Sequence, residues 1–390
     1  MKVLLVNKFY YRRGGDCIYS MNLEELLRRH GHETAFFSMQ HPDNVPTPWS
    51  RFFPSEVKFK PNAKIFDTLM RPFGSSEVKK KFNAMLDAFQ PDVVHLNNIH
   101  SQLSPVVAEL AHQRGIKVVW TLHDYKLLCP RYDFLCDGEV CERCLTDAKS
   151  VMRHSCVKSS KPASVLGYLE ARKWHRERIE ASVDAVICPS EFMRQMMMKG
   201  GYNPQKIITL HHFFHNTEPI QATEERKNYY CYIGRLSHEK GLHTLVKAAN
   251  QLPYNLVVVG GGPLEGDLKK ASDSNIRYVG FRQWSEIKEI VRQARFCVVP
   301  SEWYEVFGLV VMESQCLGTP VLGTRMGGIP ELIEDGVSGM TFAGKNSEEL
   351  KRKIEEMMHA SFDYAALAQQ AQERFSSERY YQQLLQIYQG

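Results

Sequence analysis

Short apolar runs alternate with amphipathic segments along the whole chain. The predicted strands are 3–7, 34–38, 93–96, 118–121 and 185–188 in the first half, and 229–233, 255–259, 276–279, 296–299 and 320–323 in the second. Segments with helical periodicity lie between them, such as 20–30 and 104–113, each followed by a glycine. Short β-branched runs separated by helices are typical of parallel sheets covered on both faces. The pattern therefore predicts an α/β fold of two doubly wound, Rossmann-like parallel-sheet domains.

The strand and helix scheme occurs twice, which divides the chain into regions. The junction is predicted near 206–219, after a helix over 190–201, so the N-terminal domain is 1–208 and the C-terminal domain is 209–376. The remaining segment, 377–390, is amphipathic and follows a capping serine, Ser376 or Ser377. It predicts a separate C-terminal helix.

Composition limits the class of protein. The 390 residues are 43% hydrophobic and 24% charged, as in an ordinary globular protein with two cores. The first apolar run is too short for a signal peptide, and no run is long enough to span a membrane. Ten cysteines without an export signal favour reduced thiols or a metal site over disulfides. We therefore expect a cytoplasmic protein.

The formal net charge of +5 comes from the first half of the chain. Basic residues interleave with aromatic and apolar ones over 51–60 and 79–82. That mixture suits peripheral contact with an anionic surface at the inner face of the cytoplasmic membrane, or a lipid-phosphate acceptor. A solvated loop and helix face is the alternative. Nucleic acid is not expected, because the excess is modest and no recognition motif accompanies it.

Two carboxylates, Glu305 and Glu313, lie on either side of a predicted strand-to-helix junction that contains Phe307 and Gly308. Ligands of open α/β sheets bind beyond the carboxyl ends of strands, which is the position of Glu305. Gly308 permits close backbone approach, and the first amides of the helix that starts at Leu309 are anion donors. The arrangement suggests a sugar-nucleotide site; two solvated glutamates on a surface helix are the alternative.

Arg235 and Lys240 follow the predicted strand 229–233. An arginine fork and a lysine charge at the start of a helix suit a pyrophosphate, whose negative charge grows as it leaves. The amides of Phe307, Gly308 and Leu309 add neutral donors. No catalytic metal is then required, and the sequence has no Asp-x-Asp at a strand end to hold one.

The first half has its own candidate groups. Gly14 and Gly15 follow the first strand and allow close approach to a phosphate or sugar. His123 ends the predicted strand 118–121, where an imidazole can orient a hydroxyl or move a proton. His95 and His100 also lie at or after a strand, and a structural role is as well supported for them. In the second half, Gly260 begins a triple-glycine loop without the spacing of a dinucleotide site.

A cysteine cluster follows His123, within a predicted insertion at about 129–156. Cys136, Cys141, Cys144 and Cys156 are predicted zinc ligands, with Cys129 as an alternative ligand and His154 as a spare. Only one Cys-x2-Cys pair is present, so unligated thiols or a redox role stay open. A structural zinc would fix the insertion. Because the insertion follows His123, we expect it to shape the binding site for the second substrate, the acceptor.

The Glu-x7-Glu spacing with Phe-Gly inside it resembles the signature of the retaining, nucleotide-sugar-dependent glycosyltransferases of family 4. The resemblance continues through 233–241, 318–331 and 336–339 and covers nearly the whole chain. It implies the GT-B fold, in which two Rossmann-like domains face a central cleft and the last helix crosses back to the N-terminal domain.

The resemblance also implies roles for single residues. Arg235 and Lys240 would contact the diphosphate, Glu313 the ribose, and Glu305 the donor sugar, which it would position without necessarily attacking. Gly14 and Gly15 match a loop over the donor, and His123 a histidine that reaches the sugar. Gly260 matches the nucleotide pocket, and Arg282 would lie near the base.

The implied activity is transfer of a sugar from a nucleoside-diphosphate sugar to a glycan or lipid-linked acceptor, in bacterial surface polysaccharide or glycolipid synthesis. Two alternatives stay open: a sugar-nucleotide epimerase on the same fold, and a non-catalytic sugar-nucleotide-binding protein. The base, the sugar and the linkage do not follow from these residues.

Overall fold

The structure, a computed structural model, describes residues 1–57, 65–216, 222–223 and 225–390. The predicted basic residues 58–60 and part of the predicted junction, 217–219, lie outside the described residues. By its internal contacts the chain divides into two compact units. The first comprises Met1–Asp137, Cys141–His211 and Tyr380–Gly390, and the second Gly138–Val140 and His212–Arg379.

The first unit is built on a six-stranded parallel sheet with the strand order β2-β1-β3-β4-β7-β8. A short two-stranded sheet, β5-β6, lies in the cysteine-containing segment. The strands of residues 2–209, numbered along the chain, are β1 Lys2–Val6, β2 Glu33–Phe37, β3 Val93–Leu96, β4 Lys117–Thr121, β5 Leu135–Cys136, β6 Glu139–Val140, β7 Ala185–Cys188 and β8 Ile207–Thr209; all but β6 belong to the first unit. The helices are α1 Gly15–Arg29, α2 Ile65–Met70, α3 Ser76–Phe89, α4 Val106–His112, α5 Ser150–Arg153, α6 Lys161–Lys173, α7 Arg176–Glu180 and α8 Glu191–Lys199.

The second unit repeats this plan with the order β11-β10-β9-β12-β13-β14, again all parallel. Its strands are β9 Tyr229–Ile233, β10 Asn255–Val259, β11 Ile276–Gly280, β12 Cys297–Val299, β13 Val321–Thr324 and β14 Gly339–Phe342. Its helices are α9 Leu242–Ala249, α10 Glu265–Ala271, α11 Trp284–Gln293, α12 Leu309–Cys316, α13 Ser347–His359 and α14 Tyr364–Arg374. The last helix, α15 Ser377–Gln389, follows Ser376, whose hydroxyl accepts from the Arg379 amide at 3.4 Å.

The strands are continuous apolar runs because helices cover both faces of each sheet. All side chains of β1 from Val3 to Val6 are fully buried, and so are the alternating Leu256 and Val258 of β10. In the second unit the two faces of the sheet form separate hydrophobic clusters, one around Leu245 and Phe342 and one around Val311. The prediction of two Rossmann-like parallel-sheet domains is confirmed.

The strand order brings particular loops together. In the second sheet the order reverses between β9 and β12, and in the first between β1 and β3. At such a switch point the loops that leave adjacent strands diverge and open a crevice at the carboxyl edge, where open α/β sheets bind ligands. The residues after β9 and β12 therefore share one edge of the second sheet.

Candidate functional site

An ion pair at the switch point of the second unit joins two residues predicted from the sequence. The Lys240 ammonium donates to Glu305 Oε1 at 2.7 Å, and the Ser301 hydroxyl donates to the same oxygen at 2.6 Å. Burial alone would raise the pKa of Glu305, but the Lys240 charge and these hydrogen bonds outweigh burial and hold the pKa below its ordinary value. Glu305 is therefore an anion with a fixed orientation.

Backbone contacts hold the loops around this pair. Lys240 ends a 3₁₀ turn, His238–Lys240, and Gly241 after it has φ +70°. A Cβ on Gly241 would lie 1.9 Å from the carbonyl oxygen of Pro300, so the loops after β9 and β12 can touch only through a glycine. The amide of Gly328 donates to the Glu305 carbonyl at 2.8 Å from the loop after β13. Contacts with the loops after β9 and β13 thus hold the loop after β12, which carries Glu305.

Arg235 lies on the same edge of the second sheet, after β9. Its side chain is 67% exposed, and its guanidinium pairs with Glu239 and donates to Ser237 Oγ at 3.2 Å. The structure therefore brings Lys240 and Glu305 together and holds Arg235 in an exposed pair beside them. An exposed arginine can exchange a carboxylate partner for a phosphate at small cost.

The start of α12 lies between the two glutamates. Gly308 has φ +112° and ψ 60° at the N-cap, and no side chain caps this end of the helix. Phe307 is buried and its ring packs edge-on against Phe375 and His212, so it anchors the loop in the core while its backbone continues into the helix. The amides of Val311 and Met312 donate to the Gly308 carbonyl, so among the described residues those of Leu309 and Val310 are left as anion donors.

Glu313 differs from Glu305 in its surroundings. It is partly buried, and burial raises its pKa to about 7. In the described part of the chain no side chain is hydrogen-bonded to its carboxylate. A carboxylate at the second turn of an uncapped helix, with no protein donor, is suited to accept hydrogen bonds from a bound hydroxyl group.

Gly260 and Arg282 lie at the same edge, after β10 and β11. Gly260 has φ +129°, and a Cβ there would lie 1.9 Å from the carbonyl oxygen of Gly234. The close packing of the loops after β9 and β10 is enough to require glycine at position 260, whether or not a ligand binds there. Arg282 is partly exposed, donates to the Phe281 carbonyl at 3.1 Å, and has its Nε 3.5 Å from Glu286 Oε1.

In the first unit, His123 follows β4 and is partly buried. Its Nε2 lies 3.0 Å from Asn97 Oδ1, which can only accept, so Nε2 carries the proton in this pair. Burial, with smaller contributions from His95 and Lys8, lowers the pKa of His123 to about 3. The imidazole is neutral at neutral pH, so its chemistry is that of a hydrogen-bonding group. Asn97 was not predicted; an asparagine directly after a buried strand was the available signal.

The other histidines have different environments. His95 is fully buried and hydrogen-bonded to Thr121 and Tyr388. These contacts favour the structural role over a role in binding substrate. His100 Nε2 lies 3.8 Å from Asp124, and burial lowers the pKa of His100 to about 3.

Gly14 is the N-cap of α1 and Gly15 its first residue. Gly14 is extended, with φ −158°, and a Cβ there would make only an ordinary contact with Asp16 at 3.6 Å. Neither the backbone nor packing within the protein requires glycine at this position. The absent side chain leaves space over the start of α1.

The cysteine cluster does not form the predicted tetrahedral site. Cys136 and Cys156 have their sulfurs 3.8 Å apart, while Cys144 donates to Cys129 and thereby lowers the pKa of Cys129 to about 7. All ten cysteines are free thiols. Among the described residues, no group of three or more His, Cys, Asp or Glu side chains has a geometry that would hold a metal ion. The five sulfurs thus form two pairs plus Cys141, and the structure gives the zinc prediction no support.

In the basic stretches 51–57 and 79–82, the apolar side chains are not exposed on the surface beside the basic residues. Phe53, Val78 and Phe82 are buried in the core of the first unit, whereas Lys79 and Lys80 are exposed. The alternation therefore reflects helix and loop residues that face inward and outward in turn. Within the described ranges, every helix is too short or too polar to span a bilayer.

Two protein-family profiles match most of the chain. The profile for Glycosyltransferase Family 4 matches residues 14–215, and the profile for Glycosyl transferases group 1 matches residues 214–374. A Klebsiella pneumoniae protein described as an uncharacterized 42.6 kDa protein in the cps region is 26% identical over 352 residues, 85% of this chain and 87% of the relative.

Further relatives are matched in part. O-antigen chain mannosyltransferase C of Escherichia coli is 25% identical over 196 residues, 47% of this chain and 53% of the relative. The chain also spans only 50% of the length of an archaeal relative. A crystal structure of HepE from Anabaena in complex with UDP and glucose has a TM-score of 0.66 at 18% identity, covering 99% of this chain and 98% of that chain. At this identity the match shows the fold alone.

Proposed function

Because the chain belongs to glycosyltransferase family 4 and is a glycosyltransferase, we propose that it transfers a sugar, with retention of configuration, from a nucleoside-diphosphate sugar to a glycan or lipid-linked acceptor. The relatives in the cps region of Klebsiella and in O-antigen chain synthesis support bacterial surface polysaccharide or glycolipid as the product class. The structural relative that binds UDP and glucose supports a nucleotide-sugar donor. We place the reaction in the cytoplasm, at the inner face of the membrane, where exposed lysines such as Lys79 and Lys80 would favour an anionic surface.

The observation that carries the proposal is the Lys240–Glu305 pair at the switch point, beside the uncapped start of α12. The donor diphosphate binds the α12 amides, Lys240 and Arg235, which neutralise the charge that develops as it leaves. Lys240 is then shared between the diphosphate and Glu305.

Each carboxylate has a separate role in this proposal. Glu313 accepts hydrogen bonds from the ribose hydroxyl groups, because it has no donor of its own within the described protein. Glu305, fixed by Lys240 and Ser301, stabilises the positive charge that builds on the donor sugar and needs no attack on it. The leaving phosphate assists deprotonation of the acceptor on the same face.

The first unit carries candidate groups of its own. Neutral His123, with its Nε2 proton directed to Asn97, orients a sugar hydroxyl by hydrogen bonding. The space at Gly14, next to Gly15, admits a phosphate or a sugar to the start of α1.

Two variants test the site. Lys240→Ala and Glu305→Gln should each lower donor turnover by about 100-fold or more, since each removes a charge that acts in the transition state. Lys269→Ala is the matched control, because Lys269 forms a lysine–glutamate pair of the same length, 2.7 Å, on the surface of α10 in the same unit. Turnover within a factor of two of the parent for both Lys240→Ala and Glu305→Gln would contradict the assignment.

The nucleotide can be identified by thermal shift with UDP, GDP, ADP, CDP and dTDP. A nucleotide at ~100 times its dissociation constant stabilises the native state by about 2.7 kcal/mol. The same donor is then incubated with and without candidate acceptors. Product formation only with an acceptor supports transfer, whereas conversion of the donor sugar without one would indicate epimerisation, and binding without turnover a non-catalytic protein.

A further inference from the structure

Helix α15 carries a buried stripe with polar ends. Tyr380, Leu384 and Tyr388 recur every four residues, are all buried, and belong to the first unit. A leucine or phenylalanine would fill such a stripe without burying a hydroxyl group. Buried tyrosine hydroxyls need partners, because their desolvation is otherwise uncompensated.

The partners form a continuous hydrogen-bonded chain across the end of β4. Tyr388 Oη lies 2.6 Å from His95 Nδ1, and His95 Nε2 lies 2.8 Å from Thr121 Oγ1. Thr121 Oγ1 lies 3.4 Å from Tyr19 Oη, which is hydrogen-bonded in turn to Tyr380 Oη. The chain therefore begins and ends on α15 and passes through the last residue of β4.

The network reaches His123 in two ways. Thr121 precedes His123 by two residues, so its position sets where the backbone leaves β4. The ring of Tyr19 packs edge-to-face against the His123 imidazole, with centroids 5.0 Å apart and planes at 60°. Because fully satisfied buried networks are rigid, small changes in Tyr380 or Tyr388 should move the imidazole.

We propose that Tyr380 and Tyr388 are positioning residues for His123, acting through Tyr19, His95 and Thr121. The inference rests on the proposed function, in which His123 contacts the substrate. It assigns the C-terminal helix a part in the chemistry of the first unit, beyond filling its core.

The same helix provides a matched control. Tyr381 is also buried and also bonds a histidine, His32, at 2.8 Å, and it stacks on His30 with ring centroids 3.6 Å apart. These histidines immediately precede β2, at the opposite edge of the sheet from the end of β4. Tyr381→Phe therefore removes a comparable hydrogen bond that does not lead to His123.

The experiment compares Tyr380→Phe, Tyr388→Phe and Tyr381→Phe in the full-length protein. Hydrolysis of UDP-glucose, or of the nucleotide-sugar chosen by the thermal-shift screen, gives kcat and KM. We expect the first two variants to lower kcat about 5- to 20-fold with KM for the donor unchanged, and Tyr381→Phe to stay within twofold of the parent. In a His123→Ala background, Tyr380→Phe should cause no further loss, because both changes act through one imidazole.

A second readout does not depend on activity. In protein labelled with ¹³C at histidine, the His123 ring resonance should shift in Tyr380→Phe and Tyr388→Phe and stay in place in Tyr381→Phe. Unchanged His123 resonances, or equal kcat losses with and without His123, would overturn the inference. If the parent protein turns over no nucleotide-sugar, the proposed function fails instead, and the resonance shifts still decide whether the tyrosines position the imidazole.

Discussion

Two glutamates eight residues apart acquire opposite acid–base properties from their surroundings. Lys240 and Ser301 lower the pKa of Glu305, whereas burial without a donor raises the pKa of Glu313 to about 7. Divergent pKa values of neighbouring carboxyl groups are characteristic of groups with different tasks. Both residues are glutamates, so the difference between their pKa values comes from the groups around each carboxylate.

The raised pKa of Glu313 predicts a pH-dependent cost of folding. Between pH 4.5 and about 7 the unfolded chain ionises this group while the folded protein keeps it protonated, so the stability it contributes falls as pH rises. Glu313→Gln should remove that loss. The variant should gain stability relative to the parent across this window, reaching as much as about 3 kcal/mol above pH 7. Urea unfolding at pH 5, 6, 7 and 8 measures the difference.

Glu355→Gln, an exposed glutamate on α13, is the control and should show no such trend. If the free energies of unfolding of Glu313→Gln and the parent differ by the same amount from pH 5 to pH 8, the pKa of Glu313 is not raised by burial.

At the scale of elements, the loops after the strands of the second sheet are held together by glycines. Gly241 contacts the Pro300 carbonyl and Gly260 the Gly234 carbonyl at distances that exclude a side chain. These contacts join neighbouring loops of the sheet edge on which Lys240 and Glu305 meet. The distance between Lys240 and Glu305 therefore depends on how the backbone packs at these glycines.

Gly260→Ala should be strongly destabilising. Its Cβ would lie 1.9 Å from a backbone oxygen, and its φ of +129° is strained for alanine, so a loss of about 3 kcal/mol or more is expected. Gly266→Ala in α10 is the control, because an added Cβ there meets nothing within 4 Å and alanine favours the helix by up to about 1 kcal/mol. Chemical denaturation of both variants tests the contrast; equal stabilities would show that the loop can move apart freely.

At the scale of the whole molecule, the chain end contributes to a unit that is otherwise formed from its beginning. Residues Tyr380–Gly390 cluster with the first unit, although Arg379 and the preceding residues cluster with the second. The first core is therefore completed by residues that are distant in the chain from the rest of it. Its stability should depend on the final eleven residues more than that of the second unit does.

Deletion of residues 380–390 tests this dependence. Loss of four buried side chains and of the Tyr388–His95 bond should cost the first unit about 5 kcal/mol or more. Hydrogen exchange followed by mass spectrometry should show lost protection in β3 and β4, with β9 and β10 unchanged. Deletion of 389–390 alone is the control. Equal protection of β3 and β4 in the long deletion and the parent would contradict the assignment of α15 to this core.

Much of the fold follows from local pattern. All ten predicted strands form, because buried parallel strands are continuous apolar runs that stand out from their surroundings. Four strands were not predicted: the two-residue β5 and β6, the three-residue β8, and β14, which starts with glycine. Helix α1 begins at Gly15, five residues before its predicted start, because the apolar residues Cys17, Ile18 and Tyr19 are consecutive and show no helical spacing.

The sequence by itself determined the two Rossmann-like sheets, the family, and the residue types at the carboxyl edges of the strands, since periodicity and motif spacing are local properties. Only the tertiary structure decided which of these groups meet. It joined Lys240 to Glu305, and among the described residues it gave Glu313 no side-chain donor. It also gave His123 a neutral ring, linked the tyrosines of α15 to the end of β4, and brought four of the clustered cysteine sulfurs together in two pairs. Contacts between residues distant in the chain, and the burial that shifts their pKa values, depend on how the strands are ordered and packed, which no local pattern records.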